Sequence, residues 1–268
     1  MTYAVSKTIE IEKIPVIDVK PLRAGTLENA HSVALEIRQA AEEIGFFYIR
    51  NHGVPESVIK KSYSAAKDFF NLPKVVKNNV KINSNHHGYL CFGEAKMEQA
   101  ESVDLKESFV WGLDLPDEHP SVTMENPFLG RNQWPVEIPE FKKSVYPFFE
   151  AGLQCGFDMM RAFALGMGLP EDSFLKATDE PIARSSIIHY PPQSEVLGEE
   201  QFGVAPHTDY GCLTLLWQDQ VGGLEVQNRE GEWVTAHPID NTLVVNVGDL
   251  LMRWTNEGFI STPHRVVN

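Results

Sequence analysis

Val33, Ile37, Ala40, Ala41 and Ile44 recur with helical spacing, and Gly45 follows as a residue able to close a helix in the left-handed conformation. The pattern predicts a helix ending in the Glu42-Glu43-Ile44 segment. Phe46-Phe47-Tyr48-Ile49 then reads as a short strand, bounded by Asn51-His52-Gly53. Pro55 opens a second helix with apolar positions Val58, Ile59, Ala66, Phe69 and Phe70, and Pro73 ends it. Lys74, Lys77 and Lys81 beyond it form a small basic stripe, which reads as a solvated face. Pro116, Pro120, Pro127, Pro135 and Pro139 crowd residues 114–139, a composition suited to a long surface loop. From Glu140 to Leu169 the residues favour a long helix, with Pro147 tolerable only near its start or at a kink, and Gly166, Gly168 and Pro170 close it.

After Pro181 the texture changes to short β-prone runs separated by turn residues. They are Ile182 to Tyr190, Thr208 to Gln218, Gly223 to Gln227, Trp233 to Ala236, Thr242 to Val247 and Pro263 to Val267, with Asn228 to Gly231 as a hairpin turn. Such spacing predicts an antiparallel sandwich or jelly roll. The chain is therefore expected to be mainly β with flanking helices. Residues 1–113 form a helical/β region, 114–139 the Pro-rich loop, and 140–268 the long helix with the jelly-roll core, all in one structural domain of 268 residues.

A hydrophobic content of 43% with 22% charged residues is enough to bury a core, which excludes disordered, collagen-like and disulfide-scaffold classes. The net charge of -14 and pI near 5.1 oppose binding to nucleic acid or an anionic membrane, both of which need a positive field, and favour a small-molecule partner. No apolar run approaches the roughly 20 residues that span a bilayer, and Met1 to Asp18 lacks the pattern of a secretory signal, so a cytoplasmic location is expected. Cys91, Cys155 and Cys212 are too few and too scattered for a disulfide framework or a thiolate zinc site. The oligomeric state leaves no mark in the sequence.

His207-Thr208-Asp209 is the sharpest chemical signal, because positions i and i+2 of a strand face the same side. Alone it is weak, since chance gives about 0.4 such triplets in a chain of this composition. His264, 55 residues beyond Asp209 and at the start of another predicted strand, raises it. Two imidazoles and one carboxylate on one side of a metal leave positions open, as oxygen activation at non-heme iron requires. A structural zinc site would more often close with four ligands. Cys212 is out of phase with the triad and reads as core.

Around these residues the chain resembles the iron(II)- and 2-oxoglutarate-dependent dioxygenases of the isopenicillin N synthase-like family. The resemblance runs from Ile14-Pro15-Val16-Ile17-Asp18 through Gly45 to Pro55, Phe69 to Pro73, Lys106-Glu107-Ser108-Phe109 and His189-Tyr190-Pro191-Pro192. It is densest at His207 to Asp209, Gly222 to Val226, Asn246-Val247-Gly248-Asp249 and the segment around His264. It implies a distorted double-stranded β-helix holding iron(II) through His207, Asp209 and His264, with 2-oxoglutarate and O2 in the open positions. The implied reaction oxidises a C–H bond of a small molecule and releases succinate and CO2.

The resemblance also matches Tyr190 to a tyrosine that holds the far carboxylate of 2-oxoglutarate, whereas Ile188 stands where relatives often carry asparagine. Relatives place an Arg-x-Ser pair on a final strand after the distal histidine. This sequence stops at Asn268, so that strand is expected to be missing from these residues. Arg184, ahead of Arg253, is the substitute cation for the cosubstrate; Arg265 is out of phase. For substrate contact the family points to Tyr89 and to the segment Ser108, Phe109, Val110 and Trp111, where strand parity allows either 108/110 or 109/111 to face inward. For Phe109 and Trp111 a place in the core is the plainer reading. His86 and His87 read as solvated loop residues. Two rivals stay open: an iron oxidase of the same family that uses no 2-oxoglutarate, and a non-catalytic, metal-stabilised small-molecule binding protein.

Overall fold

The structure is a computed structural model and describes residues 14–24, 26–96, 102–124, 126–178, 180–193 and 201–267. The segment before Ile14, where the absence of a leader was read, and Asn268 lie outside the described residues. The chain forms two compact units interleaved in sequence. The first comprises Met1–Gly53, Gln154–Asp179 and Val204–Asn268, and the second Val54–Leu153 and Glu180–Gly203. Strands are numbered β1 to β11 and helices α1 to α7 along the chain.

The first unit contains two four-stranded sheets. One runs β1 (Val16–Asp18), β2 (Phe46–Arg50), β10 (Thr242–Val247), β7 (Leu213–Leu216), with β1 parallel to β2 and the rest antiparallel. The other is antiparallel throughout, in the order β6 (Val204–His207), β11 (His264–Val266), β8 (Leu224–Gln227), β9 (Trp233–Thr235). Phe46, Tyr48 and Val244 from the first sheet pack with Leu224, Val226 and Ala236 on the side of the second, making the sandwich core. The Tyr48 hydroxyl satisfies itself on the His237 carbonyl at 2.7 Å.

β2 lacks polar alternation because both its faces are covered. Phe46 and Tyr48 face the second sheet, while the Phe47 ring meets Phe163 edge-on, with centroids 6.5 Å apart. Phe163 belongs to α6 (Phe141–Gly166), which begins in the second unit and ends in the first. α2 (Leu27–Glu43) turns Ala30, Val33, Ala34, Ile37, Ala40 and Ala41 inward. Burying each branched side chain contributes roughly 1.5–3 kcal/mol. Thr26 caps α2 by accepting from the Asn29 N–H, and Gly45 ends it at φ +72°, donating to Ala40 O at 2.9 Å. A Cβ at Gly45 would sit 2.1 Å from the Ile260 carbonyl, so close approach as well as φ demands glycine.

In the second unit, β3 (Gly88–Leu90), β4 (Glu107–Gly112) and β5 (Arg184–His189) form an antiparallel sheet. One face packs on an aromatic core fed by α3 (Glu56–Phe70) and the start of α6. Phe109 lies at its centre, edge-on to Phe69 at 4.9 Å and to Phe141 at 5.2 Å between centroids. The Pro-rich residues 114–139 fall within this unit and contribute Trp134 to the cluster. Pro147 lies inside α6, in its second turn and so near its start.

Three local expectations change. The run expected as one strand over Thr208 to Gln218 is a loop followed by β7, with β6 ending just before it at His207. The loop's carbonyls instead accept from the turn that opens α7 (Asp249–Trp254): Asp249 N–H to Asp209 O at 2.7 Å, Leu250 N–H to Gly211 O at 3.1 Å and Gly248 N–H to Cys212 O at 2.9 Å. Lys77 is buried rather than solvated, because Glu107 of β4 pairs with it at 2.7 Å and the Phe70 carbonyl accepts a second hydrogen bond at 3.0 Å. His87 is likewise buried, while its neighbour His86 stays exposed with φ 59°.

Glu107 also receives the Tyr89 hydroxyl and, at 2.9 Å, Nδ1 of His189. Burial pushes its carboxyl up, but Lys77, Tyr89 and His189 together outweigh that and hold it below the ordinary glutamate value of 4.5. A depressed folded-state pKa adds stability that is present above the unfolded value and is lost as pH falls through the folded one. Glu107→Gln is expected to cost about 3–5 kcal/mol near neutrality, by leaving Lys77 buried without a counter-charge. The gap between wild type and variant should narrow below pH 4.5. Denaturant unfolding at pH 7 and at acid pH tests this; an equal gap at both would refute the assignment.

Candidate metal centre

The register of the second sheet sets His264 of β11 directly opposite His207 of β6, and their ring centroids lie 4.2 Å apart. Asp209, two residues past the end of β6, brings its Oδ1 to 3.6 Å from His207 Nε2 and 3.7 Å from His264 Nε2. The three donor atoms all fall within 4.8 Å of one another. Neighbouring ligands on metal bonds of about 2.1 Å lie roughly 3 Å apart, so a small inward movement of each would close them on one ion. These are the only three residues among those described that form such a His/Cys/Asp/Glu group.

Each donor is oriented by a second contact. His207 Nδ1 lies 2.9 Å from the Ala205 carbonyl and His264 Nδ1 lies 3.2 Å from the Thr262 carbonyl. A carbonyl can only accept, so both rings carry their proton on Nδ1 and leave the Nε2 lone pair free for a metal. On Asp209, Oδ2 accepts from Thr214 at 2.5 Å and from the Asn246 side-chain amide at 2.8 Å, which leaves Oδ1 facing the histidines. The donor set thus fits a divalent metal of the kind that takes two imidazoles and one carboxylate.

The electrostatics agree with that use. Burial opposes ionisation of Asp209, yet the charge of His264, the hydrogen bonds from Asn246 and Thr214 and the charge of His207 bring its pKa below the usual carboxylate value. Burial, helped by His207 beside it, pushes His264 below the ordinary imidazole range despite Asp209 and the Thr262 carbonyl. A ready carboxylate and a neutral imidazole are the forms that bind metal. Phe46 closes one side of the site with its ring edge on His264, at 5.2 Å between centroids.

Arg265, adjacent to His264 in sequence, faces away. Its Nε and one terminal nitrogen both reach Glu225 Oε2 at 2.7 Å, and its guanidinium lies 4.2 Å from the centroid of Trp233. Cys212, expected in the core, is half-buried.

Apart from Arg253, which lies on α7 in the first unit, the other residues singled out by sequence lie in the second unit, and its sheet sorts most of them by face. Ser108 pairs with Ile188, Val110 with Ser186 and Gly112 with Arg184, so these positions share one face, on which Arg184, Ser186 and Ile188 are exposed. Phe109 and Trp111 take the opposite face, within the aromatic core, and Tyr89 joins them with its hydroxyl committed to Glu107. The choice left open by strand parity therefore resolves with 109/111 in the core. Arg184 also lies 5.4 Å from the ring of Phe128. Tyr190, just past β5, is half-buried, and burial together with the charge of Asp104 pushes its phenol well above the ordinary tyrosine value. It therefore stays a neutral donor. Thr214 and Asn246 are the residues that sequence reasoning missed. Asn246 lies in the Asn-Val-Gly-Asp run already noticed, which was the one signal that could have found it.

Comparisons with known proteins converge on one chemistry. Residues 182–268 match the 2OG-Fe(II) oxygenase superfamily, and residues 14–137 match the family described as non-haem dioxygenase in morphine synthesis N-terminal. The chain is 36% identical over 275 residues to the 2-oxoglutarate-Fe(II) type oxidoreductase ppzC of Metarhizium rileyi, covering 96% of this chain and 74% of that protein. It is 34% identical to a 2-oxoglutarate-dependent dioxygenase of Didymella fabae, covering 97% of this chain and 82% of that protein. Among solved structures it resembles a full-length Neurospora crassa protein in complex with alpha-KG and thymine, with TM-score 0.84 and 32% identity over 95% of this chain and 80% of that one.

The orientation of Asp209 yields a test. Thr214→Val keeps the side-chain shape and removes one donor to Oδ2, and loss of such an orienting partner typically weakens metal binding about 10–100-fold. Equilibrium dialysis against iron(II) under anaerobic conditions should show a fall in that range with the fold retained. Unchanged affinity would mean that Oδ2 needs no such anchoring.

Proposed function

The chain belongs to the iron(II)- and 2-oxoglutarate-dependent oxygenases, and we propose that it holds its iron(II) through Nε2 of His207, Oδ1 of Asp209 and Nε2 of His264. It is an enzyme that oxidises a small molecule at the expense of 2-oxoglutarate and O2, on a jelly-roll scaffold. The observation carrying the ligand assignment is the convergence of the three donor atoms, with each ring's other nitrogen tied to a carbonyl. Bound iron(II) supplies oxidative decarboxylation of 2-oxoglutarate to succinate and CO2, coupled to oxidation of a substrate C–H bond.

The residues of this chain supply the rest. His207, Asp209 and His264 would hold the metal with three donors only, a number that would leave room for cosubstrate and oxygen. Tyr190, kept as a neutral phenol, donates to the far carboxylate of 2-oxoglutarate, and Arg184 is the candidate counter-charge. On β4, Ser108 and Val110 are the better candidates for substrate contact, because their face of the sheet is the one not filled by the aromatic core. Phe109 and Tyr89 support that strand from behind. The Neurospora crassa relative is in complex with thymine, and a flat polar heterocycle of that kind is a reasonable first substrate to try here.

The partner is then a small molecule, and a nucleic acid or membrane is disfavoured by a charge of -14. No helix among the described residues is long and apolar enough to cross a membrane. A cytoplasmic site of action fits the three free cysteines, two of them buried.

His207→Ala and Asp209→Ala are each expected to abolish 2-oxoglutarate-dependent succinate release while the far-ultraviolet circular dichroism stays native. Near-normal turnover with normal iron content in both would refute the ligand set. Excess zinc should inhibit the wild type, because zinc occupies such a site without redox chemistry. Tyr190→Phe should raise the apparent 2-oxoglutarate requirement by about 1.5–3 kcal/mol, the range for a hydrogen bond to a charged group. An unaltered requirement accompanied by weakened iron binding would contradict that role.

A further inference from the structure

The ligands reach the site on two separate stretches of chain, His207 and Asp209 on the β6–β7 connection and His264 after the loop into β11. One side chain touches both stretches. Asp249 Oδ2 accepts from the Thr208 hydroxyl at 3.2 Å, between the first two ligands. Asp249 Oδ1 accepts from the Ser261 hydroxyl at 2.6 Å, three residues before the third. Its backbone N–H donates to the Asp209 carbonyl at 2.7 Å. The chain on either side of Asp249 reinforces the grip, through the Gly248 and Leu250 N–H groups on the carbonyls of Cys212 and Gly211. The approach is so close that a Cβ on Gly248 would lie 2.2 Å from the Gly211 carbonyl.

We infer that Asp249 is the positioning residue of the metal centre: its carboxylate clamps the two ligand-bearing segments together and so sets the distance between the Asp209 carboxylate and the His264 ring. The inference rests on the ligand set proposed above. An ionised carboxylate suits this place because it accepts two hydroxyl protons at once, one on each oxygen. Asparagine offers only one acceptor oxygen and would meet the second hydroxyl with an amide. Asp249 itself offers the ion nothing, since its two oxygens face Thr208 and Ser261. Its role is exerted through Asp209 and His264, in the way that outer hydrogen bonds fix metal ligands generally.

Cobalt(II) added to the metal-free protein gives a direct reading, since its visible bands report ligand geometry as well as occupancy. Asp249→Ala should weaken cobalt(II) about 10–100-fold and alter the bands. Ser261→Ala and Thr208→Val should each cost less, and neither should add appreciably to Asp249→Ala, because each removes an arm of one clamp. Asp249→Asn should fall between alanine and wild type. Wild-type cobalt(II) affinity and bands in Asp249→Ala would overturn the inference, even with a lowered melting temperature of the metal-free protein, for that is what a merely structural aspartate would give. If Asp249→Ala does not fold, Ser261→Ala combined with Thr208→Val decides: weaker, shifted binding supports the clamp and wild-type behaviour overturns it. His207→Ala serves as the control. Wild-type cobalt(II) binding in that variant would overturn the ligand set and the clamp together, whereas lost binding there with wild-type behaviour in the Asp249 series overturns the clamp alone.

Discussion

Antiparallel pairing of β11 with β6 sets His264 opposite His207, and the rest of the site is built to make that arrangement tolerable. Two imidazoles facing each other at 4.2 Å are a poor pair without something between them. If both were protonated they would repel, and if both were neutral each would leave a lone pair directed at the other. Tying each Nδ1 to a carbonyl two residues back along the chain settles the tautomer and aims both lone pairs at one point. Asp209 then brings the negative charge that a divalent ion at that point needs. The sheet register decides which atoms meet, and the hydrogen bonds decide which chemistry those atoms offer.

Three carboxylates of this protein, Asp209, Glu107 and Glu225, are each fixed by side-chain partners. Asp209 gives Oδ2 to Thr214 and Asn246 and keeps Oδ1 for the histidines. Glu107 divides its oxygens between His189 on one side and Lys77 with Tyr89 on the other. Glu225 takes two nitrogens of Arg265 on the back of the strand that carries His264. A buried carboxylate that is only partly satisfied costs several kcal/mol, so each group is held in a single arrangement. For Asp209 the same rigidity suits the proposed metal centre, because a carboxylate free to rotate would present either oxygen, or neither, to a metal.

What the sequence disclosed depended on the range of the interaction involved. The stop of α2 at Gly45 was legible because φ +72° is a local demand that few residues meet. The strand at Phe46 and the long helix ending at Gly166 were legible because their apolar residues lie close together in sequence. The candidate metal ligands stood out as residue types, but their setting did not. Asp209 lies in a loop rather than on the expected strand, because backbone N–H groups far along the chain, at Gly248 to Leu250, take carbonyls within residues 209–212. Lys77 looked solvated between Lys74 and Lys81, since the partner that buries it lies 30 residues on, in β4. Likewise a threonine at 214 in a β-prone run reads as strand propensity until the fold turns its hydroxyl onto Asp209.

The two-residue spacing of His207 and Asp209 survives this change of setting for a physical reason. On a regular strand, side chains at i and i+2 share a face but stay roughly 7 Å apart at Cβ, since each residue advances the chain by about 3.3 Å. Leaving the sheet after the first lets the shorter aspartate side chain swing closer to the imidazole than the pleat would hold it. β6 ends at His207, and the backbone after it gives its carbonyls to the α7 turn instead of to a neighbouring strand. Asp209 is thereby released from the pleat and can bend toward His207 and His264. The end of β6 at His207 thus leaves the Asp209 carboxylate within 3.7 Å of both rings.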